Sequence, residues 1–242
     1  MAAELLQQCG WRVPDHVAVP GGNLGNSTAF GKGFKELLEL GLIDRLPRLH
    51  VVQAEGAAPF AQLFARHEQD SLAQNSSSNS SSTLTPIRHP QTLASAIKIG
   101  APVSWQKALR AVTQTGGRVS SVSEQQIADA KAIIGREGIG CEPASATTVA
   151  GIKRLVKDGT IDPDEKVVAV LTGHILKDAD YTTNYHQKKL YTHDRTSSRS
   201  KEERRIAGRF SNPPTRVKAT SAAILEHLES LESHHVEDGS FD

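Results

Sequence analysis

The sequence predicts an α/β protein, an open and mostly parallel twisted sheet with helices on both faces. Three observations predict it. Apolar runs of strand length recur along the chain, beginning with HVAVP at 16–20, which ends at Pro-Gly. Amphipathic helical patterns stand between those runs, and strand, helix, strand, helix at this spacing argues for a parallel sheet with covering helices. At 242 residues the chain is also long enough to bury a real core, as one large α/β domain or two small ones.

The first helix is expected from about Ser27, where Phe30, Phe34, Leu37 and Leu38 make one apolar face and Gly41 stops it. LHVVQAE (49–55) reads as the next strand and APFAQLFARH (58–67) as the next helix. DSLAQNSSSNSSSTLTPIRHP (70–90) is dense in Ser and Asn. It cannot bury enough apolar surface to offset its ordering entropy, so it reads as a disordered surface insertion. Helical patterns resume at PQTLASAIKIG (90–100) and SWQKALRAVTQTGG (104–117), then a strand at RVSSVS (118–123). Ser123 with Gln126 makes a capping box for a helix to about Arg136.

CEPASATTVAGIKRLVKDG (141–159) has Pro143 near a first turn and sets Val149, Ile152, Leu155 and Val156 on one face. KVVAVLTGH (166–174) is the last strand. Residues 184–210 read as irregular and basic, and ATSAAILEHLESLE (219–232) as a closing helix. The expected parts are therefore 1–69, the insertion 70–90, a remainder 91–183, and a C-terminal stretch 184–242.

Composition excludes several classes of function. A net charge of +1 gives no global field that would demand nucleic acid or an anionic membrane. Two cysteines, Cys9 and Cys141, cannot make a disulfide framework, so a reducing compartment is expected. Glu4 stands where a signal peptide would want positive charge, and no apolar run approaches the roughly 20 residues of a membrane span. The expected location is the cytoplasm. The histidines show no metal-ligand spacing, and no metal is expected.

The informative motif is VAVPGGNLGNSTAFGKGF (17–34), a strand, a Gly-Asn turn and a helix. Gly21, Gly22 and Gly25 let main-chain N–H groups approach an oxyanion, and the helix behind them points its positive dipole end at the same spot. Asn23 and Asn26 add side-chain donors. Neither the Walker pattern nor G-x-G-x-x-G is present, and on the residues alone a phosphate cradle and an ordinary tight turn both stay open. Gly31 and Gly33 lie inside the helix, where they allow close helix packing.

Thr172 stands at a strand's carboxyl end, where open α/β sheets bind ligands, and Gly173 allows close approach. Its hydroxyl can donate to a ring nitrogen or accept from one, or it can cap a turn. Cys141 reads as a small buried thiol. Glu142 lines a pocket or sits in the first helical turn, where a carboxylate is favoured. The stretch 187–210, with eight Lys/Arg against three acids, reads as an exposed loop.

Taken in order, PGGNLGN (20–26), GIGCEPASATTVAGIKRL (138–155), VVAVLTGHILKD (167–178) and RFSNPPTRV (209–217) resemble the C-terminal part of the threonine synthases. These are pyridoxal-phosphate (PLP) enzymes of the tryptophan-synthase-β type, fold type II. The resemblance covers nearly the whole chain outside the Ser/Asn tract and the ends. It implies that 1–69 is the phosphate-binding βαβ part of the PLP domain, with Gly21, Gly22, Asn23, Leu24, Gly25 and Asn26 around the cofactor phosphate. Thr172 would face the pyridine nitrogen, a neutral hydroxyl that leaves the ring unprotonated. Glu142, Ser145 and Gly173 would line the cofactor's open side.

The implied reaction converts O-phosphohomoserine and water to threonine and phosphate. The chain departs from the family pattern in one respect. The Schiff-base lysine lies upstream of the glycine loop in the family, and here the residues before that loop include no lysine. Lys35, in GFKE (33–36), starts roughly 13 Å along the helix behind the loop and reads as a surface residue. No catalytic residue is therefore assigned, and the chain is expected to be a truncated threonine synthase, inactive alone. It would form a homodimer or pair with an N-terminal segment. The alternatives are another fold-type-II lyase such as a threonine dehydratase, or a non-catalytic remnant that binds phosphate or a partner.

Overall fold

The structure, a computed structural model, describes residues 1–72, 83–193 and 203–237, in two compact units that divide after Ser211. Four parallel strands form the sheet of the first unit: β1 (His16–Pro20), β2 (Arg48–Ala54), β3 (Val119–Val122) and β4 (Val167–Ala169), in the order β3-β2-β1-β4. Parallel neighbours need crossover connections, and helices supply them on both faces. The expected fold class is the observed one.

Side chains of β1 and β2 serve two cores, one on each face of the sheet. Val17 and Val19 join Leu49 and Val51 under α1 (Ala2–Gln8), α2 (Gly25–Glu39), α3 (Pro59–Leu72) and α4 (Trp105–Gln114). Val52 and Ala54 point the other way, toward α5 (Glu124–Arg136), α6 (Pro143–Lys157) and α7 (Ala179–His186). Phe30, Phe34 and Leu37 are the buried face of α2, as their spacing predicts. Gly31 and Gly33 bring α2 close to its neighbours: a Cβ on Gly31 would collide with Ala111 of α4, and one on Gly33 would stand 2.8 Å from Ala2 of α1. Ser123 and Gln126 close the predicted capping box at the start of α5.

Several elements differ from the sequence reading. Helix α1 was unpredicted; Ala2 and Leu6 seat it in the core. The expected helix at 90–100 is a single 3₁₀ turn, Ser95–Ile97. Its flanks bond elsewhere instead, Gln91 N to Gly56 O and Ile87 N to Gly100 O. Leu84 is buried, so residues 83–90 pack as part of the first unit, while 73–82 of the expected insertion lie outside the described residues. Helix α6 is buried almost all round its first half because it crosses all four strands, and Val156, expected on its apolar face, is exposed. The basic stretch contains a short antiparallel pair, β5 (Tyr191–His193) with β6 (Glu203–Arg205). In the second unit, α8 (Ser221–Glu237) starts one residue after Thr220.

A buried polar chain links the starts of all four strands. His50 Nδ1 accepts from the Arg118 N–H at 3.0 Å, so its Nε2 carries the proton and donates to His16 Nδ1 at 2.8 Å. His16 Nε2 then donates to Glu165 Oε2 at 2.9 Å. These partners assign both tautomers and leave no acceptor for an added proton. Burial, then the nearby His16, Arg48 and Arg118, lowers the His50 pKa from 6.5 to about 4, with Glu165 opposing.

A depressed histidine pKa contributes stability that is complete above the unfolded value of 6.5 and is lost as pH falls toward about 4. Unfolding free energies from urea titrations at pH 7.5, 6 and 5 should fall, by a total of roughly 2 kcal/mol across that range. His50→Asn, which keeps an acceptor for Arg118, should be less stable at pH 7.5 and lose less on acidification. Parallel profiles for the two proteins would exclude His50 as the source.

Candidate functional site

The turn after β1 is built by giving each of its residues a different task. Gly21 stays in the sheet, its N–H donating to Val52 O at 2.8 Å and its carbonyl accepting from buried Gln53 Nε2 at 3.0 Å. Its amide and carbonyl are therefore both engaged within the protein. A Cβ on Gly22 would stand 3.0 Å from the Ala96 carbonyl, too close for a larger residue to sit without displacement. Asn23 is exposed, but its Oδ1 accepts from Val103 N at 2.8 Å and so holds the neighbouring loop.

Leu24 turns the chain. It adopts a left-handed conformation, φ 65°, which costs about 1–2 kcal/mol for a residue with a Cβ. Its side chain, buried in the core, holds that conformation in place.

Helix α2 begins at Gly25 with no side-chain cap. The first bond back along its axis is Thr28 N to Leu24 O, leaving the N–H groups of Gly25, Asn26 and Ser27 without partners among the described residues. Ser27 Oγ is fully buried and has no partner either, a cost of roughly 1–3 kcal/mol if nothing binds there. Three free amides at a positive dipole end and one orphaned hydroxyl fit a tetrahedral oxyanion.

The register places Thr172 beside this turn. Ala18 pairs with Ala169 and Val170 N donates to Ala18 O, so the glycine turn and Thr172 follow neighbouring strands at the same edge of the sheet. The predicted strand 166–174 stops early because Ser145 Oγ captures the next amides, Thr172 N at 2.9 Å and Gly173 N at 3.2 Å. Thr172 Oγ1 donates to Glu142 Oε1 at 3.2 Å. The Glu142 N–H donates to Gly173 O at 3.0 Å, and the carboxylate lies directly over the Gly173 Cα. Lys177 Nζ stands 3.4 Å from Glu142 Oε2, a distance of ion pairing without hydrogen-bond geometry. Glu142, Ser145, Thr172 and Gly173 are thus one cluster.

Other candidates lie elsewhere. Lys35 sits on the outer face of α2, paired with Glu39 at 3.6 Å, and Lys32 with Glu36. Burial pushes the Cys141 thiol pKa up, with Lys131 opposing. Lys131 is the one buried lysine among the described residues, its pKa lowered by burial; nothing in the helical pattern of α5 marks it. A cavity of about 620 Å³ opens beside the ends of β2 and β3 and is lined by Arg204, Arg205, Arg209, Glu55 and Glu124. Burial raises the Glu124 pKa. No cluster able to hold a metal ion, and no helix long and apolar enough to cross a membrane, occurs among the described residues.

A parallel sheet whose turns and helix starts gather at its carboxyl edge is the architecture of α/β domains that bind ligands there. Residues 1–173 match the family model of pyridoxal-phosphate dependent enzymes, and the chain belongs to that family. The threonine synthase of Methanocaldococcus jannaschii is 42% identical over 181 residues, 74% of this chain and 42% of that protein. Chloroplastic threonine synthase 2 of Arabidopsis thaliana is 36% identical over 227 residues, 94% of this chain and 39% of that one. The chain thus spans about two fifths of the length of these curated relatives. A fungal L-serine ammonia-lyase from Rhizomucor miehei superposes with TM-score 0.56 at 18% identity, over 78% of this chain and 54% of that one. Threonine deaminase isoform 2 from Solanum lycopersicum, in its processed form, does so with TM-score 0.55 at 16% identity, over 74% and 46%. These two show the shared fold, that of fold-type-II PLP enzymes.

Gly173→Ala tests the cluster. Its methyl would fall on the Glu142 carboxyl group, so we expect a loss of about 1–3 kcal/mol in urea denaturation. Gly25→Ala, whose Cβ meets nothing within 4 Å, should change stability by less than about 0.5 kcal/mol. Equal effects would contradict the packing described.

Proposed function

We propose that this chain supplies the cofactor-phosphate cradle and the ring-nitrogen hydroxyl of a threonine synthase, acting on O-phosphohomoserine and water. The observation that carries the reading is the uncapped start of α2, with Ser27 Oγ buried and unpartnered, at the sheet edge where Thr172 follows the neighbouring strand. The amides of Gly25, Asn26 and Ser27 bind the phosphate, Ser27 Oγ adds a fourth donor, and Leu24 and Gly22 fix the turn. Thr172 orients the ring from the opposite side. Pyridoxal phosphate, when bound, supplies an electron-accepting ring. The substrate is taken from the threonine synthase relatives.

As a polypeptide of these residues the chain should not turn over alone. Lys35 and Lys32 are on the outer face of α2, and the rest of the lysines among the described residues, Lys131 excepted, are exposed. Lys177, the lysine of the Thr172 cluster, is paired with Glu142, so we expect none of the described lysines to anchor the cofactor covalently.

The test is pyridoxal phosphate binding followed by absorption, with borohydride reduction and peptide mapping. We expect binding that inorganic phosphate competes away, with the aldehyde band retained and no lysine reduced. Ser27→Ala should weaken it roughly tenfold, the worth of one hydrogen bond to a charged group. No phosphate should be released from O-phosphohomoserine. Specific reduction onto one lysine, such as Lys131, or turnover by the chain alone, would overturn the inactivity. Absence of binding would overturn the cradle.

A further inference from the structure

The end of the basic stretch, read from the sequence as an exposed loop, is anchored, and its arginines line the cavity beside the ends of β2 and β3. Ile206 is buried, and its N–H donates to Leu190 O at 2.8 Å. Ala207 is held at both backbone groups by the Gln125 side chain of α5, at 2.7 and 2.9 Å. Phe210 N donates to the Tyr185 hydroxyl at 3.1 Å. Arg204, Arg205 and Arg209 therefore stand on a fixed segment.

The opposite charges come from the sheet. Glu55 follows β2, and Glu124 opens α5 just after β3, at the carboxyl edge where α/β sheets bind ligands. Glu124 Oε2 accepts from Leu93 N at 3.2 Å, whereas its Oε1 is buried with no partner. Arg209 has Asp129 at 3.4 Å. Arg204, Arg205, Glu55 and Glu124 have no ion-pair partner among the described residues, although all four line one cavity. Guanidinium and carboxylate groups that share about 620 Å³ without pairing leave space for a ligand carrying charges of both signs.

We propose that this cavity binds a free α-amino acid with a second anionic group, its acidic groups on Arg204 and Arg205 and its ammonium on Glu55 and Glu124. A guanidinium fork presents parallel N–H donors, which suit carboxylate and phosphate oxygens alike. The ammonium brings a donor to the Glu124 carboxylate, which is one partner short. Burial raises the Glu124 pKa and Glu55 adds to it, so a cation beside the two carboxylates stabilises both. None of Gly25, Asn26 and Ser27 lines this cavity, so the site is separate from the cofactor cradle and does not rest on that reading. Inorganic phosphate, with no ammonium, meets only half of it.

The experiment is isothermal titration calorimetry of the full chain, without pyridoxal phosphate, against O-phospho-L-serine and L-glutamate. We expect saturable binding of at least one, and the tighter of the two identifies the second anionic group as phosphate or carboxylate. The N-acetyl derivative of that ligand, which lacks the ammonium, should bind about tenfold more weakly. Arg204→Gln with Arg205→Gln should weaken both forms about tenfold or more. Glu124→Gln keeps an acceptor for Leu93 N, and it should weaken the amino acid while leaving its N-acetyl form unchanged. A general loss of structure would weaken both. Ser27→Ala, at the cradle, should change neither.

No saturable binding of either amino acid at millimolar concentration would overturn the inference. So would equal binding of the N-acetyl form, or affinities that ignore the arginine and glutamate substitutions. Binding lost in Ser27→Ala would assign the anion to the start of α2 and overturn it as well.

Discussion

The sheet depends on one buried polar chain, from Glu165 through His16 and His50 to the Arg118 amide. It touches the start of every strand, and it has one consistent set of donors and acceptors. A one-residue slip of any strand would turn its inward side chains outward and break a link of this chain at the same time. Asp15 reinforces the same end, exchanging backbone bonds with Lys166 and Arg48 while its carboxylate accepts from Lys166 N and Arg45. With register fixed there, β1 and β4 run parallel to the opposite edge, where the glycine turn follows one and Thr172 follows the other. The site is a consequence of order imposed at the far end of the strands.

What distinguishes the carboxyl edge is unfinished bonding. Most buried polar groups in this protein are satisfied; Gln53, for example, serves Gly21, Phe60 and Ala61 at once. At the start of α2 the pattern reverses, with an uncapped helix, a left-handed leucine and an orphaned serine. Unpaired groups of that kind lower stability, and in the reading proposed above a bound phosphate would offset that loss. The Glu142 cluster is more fully bonded: Ser145 Oγ accepts two amides and Thr172 Oγ1 donates to Glu142 Oε1, while Glu142 Oε2 has Lys177 at 3.4 Å.

Much of this was legible in the sequence, and the illegible part has physical causes. Strands β1 and β2 and helices α2, α4 and α5 follow from apolar spacing and one capping box because their burial is local. The glycine turn was recognisable, but the division of labour within it was not: that Gly21 bonds the sheet and Asn23 a distant loop depends on partners 32 and 80 residues away. The same holds for β4, cut short by Ser145, and for 90–100, whose amides bond elsewhere. Ser27 carried no signal, since an orphaned hydroxyl is visible only once its surroundings are known. Lys131 and the arginine-lined cavity were hidden for a similar reason: one sits within an ordinary helical pattern, the other is assembled from elements far apart in sequence.

The central claim is that the cofactor's phosphate sits on the start of α2, and amide NMR of the labelled chain during a pyridoxal phosphate titration tests it most directly. The account predicts that the largest shifts fall on the amides of Gly25, Asn26 and Ser27, with Thr172 and Gly173 following at the same ligand concentration. Shifts concentrated instead around Arg204, Arg205 and Arg209, with the α2 amides unmoved, would contradict it and place anion binding in the neighbouring cavity.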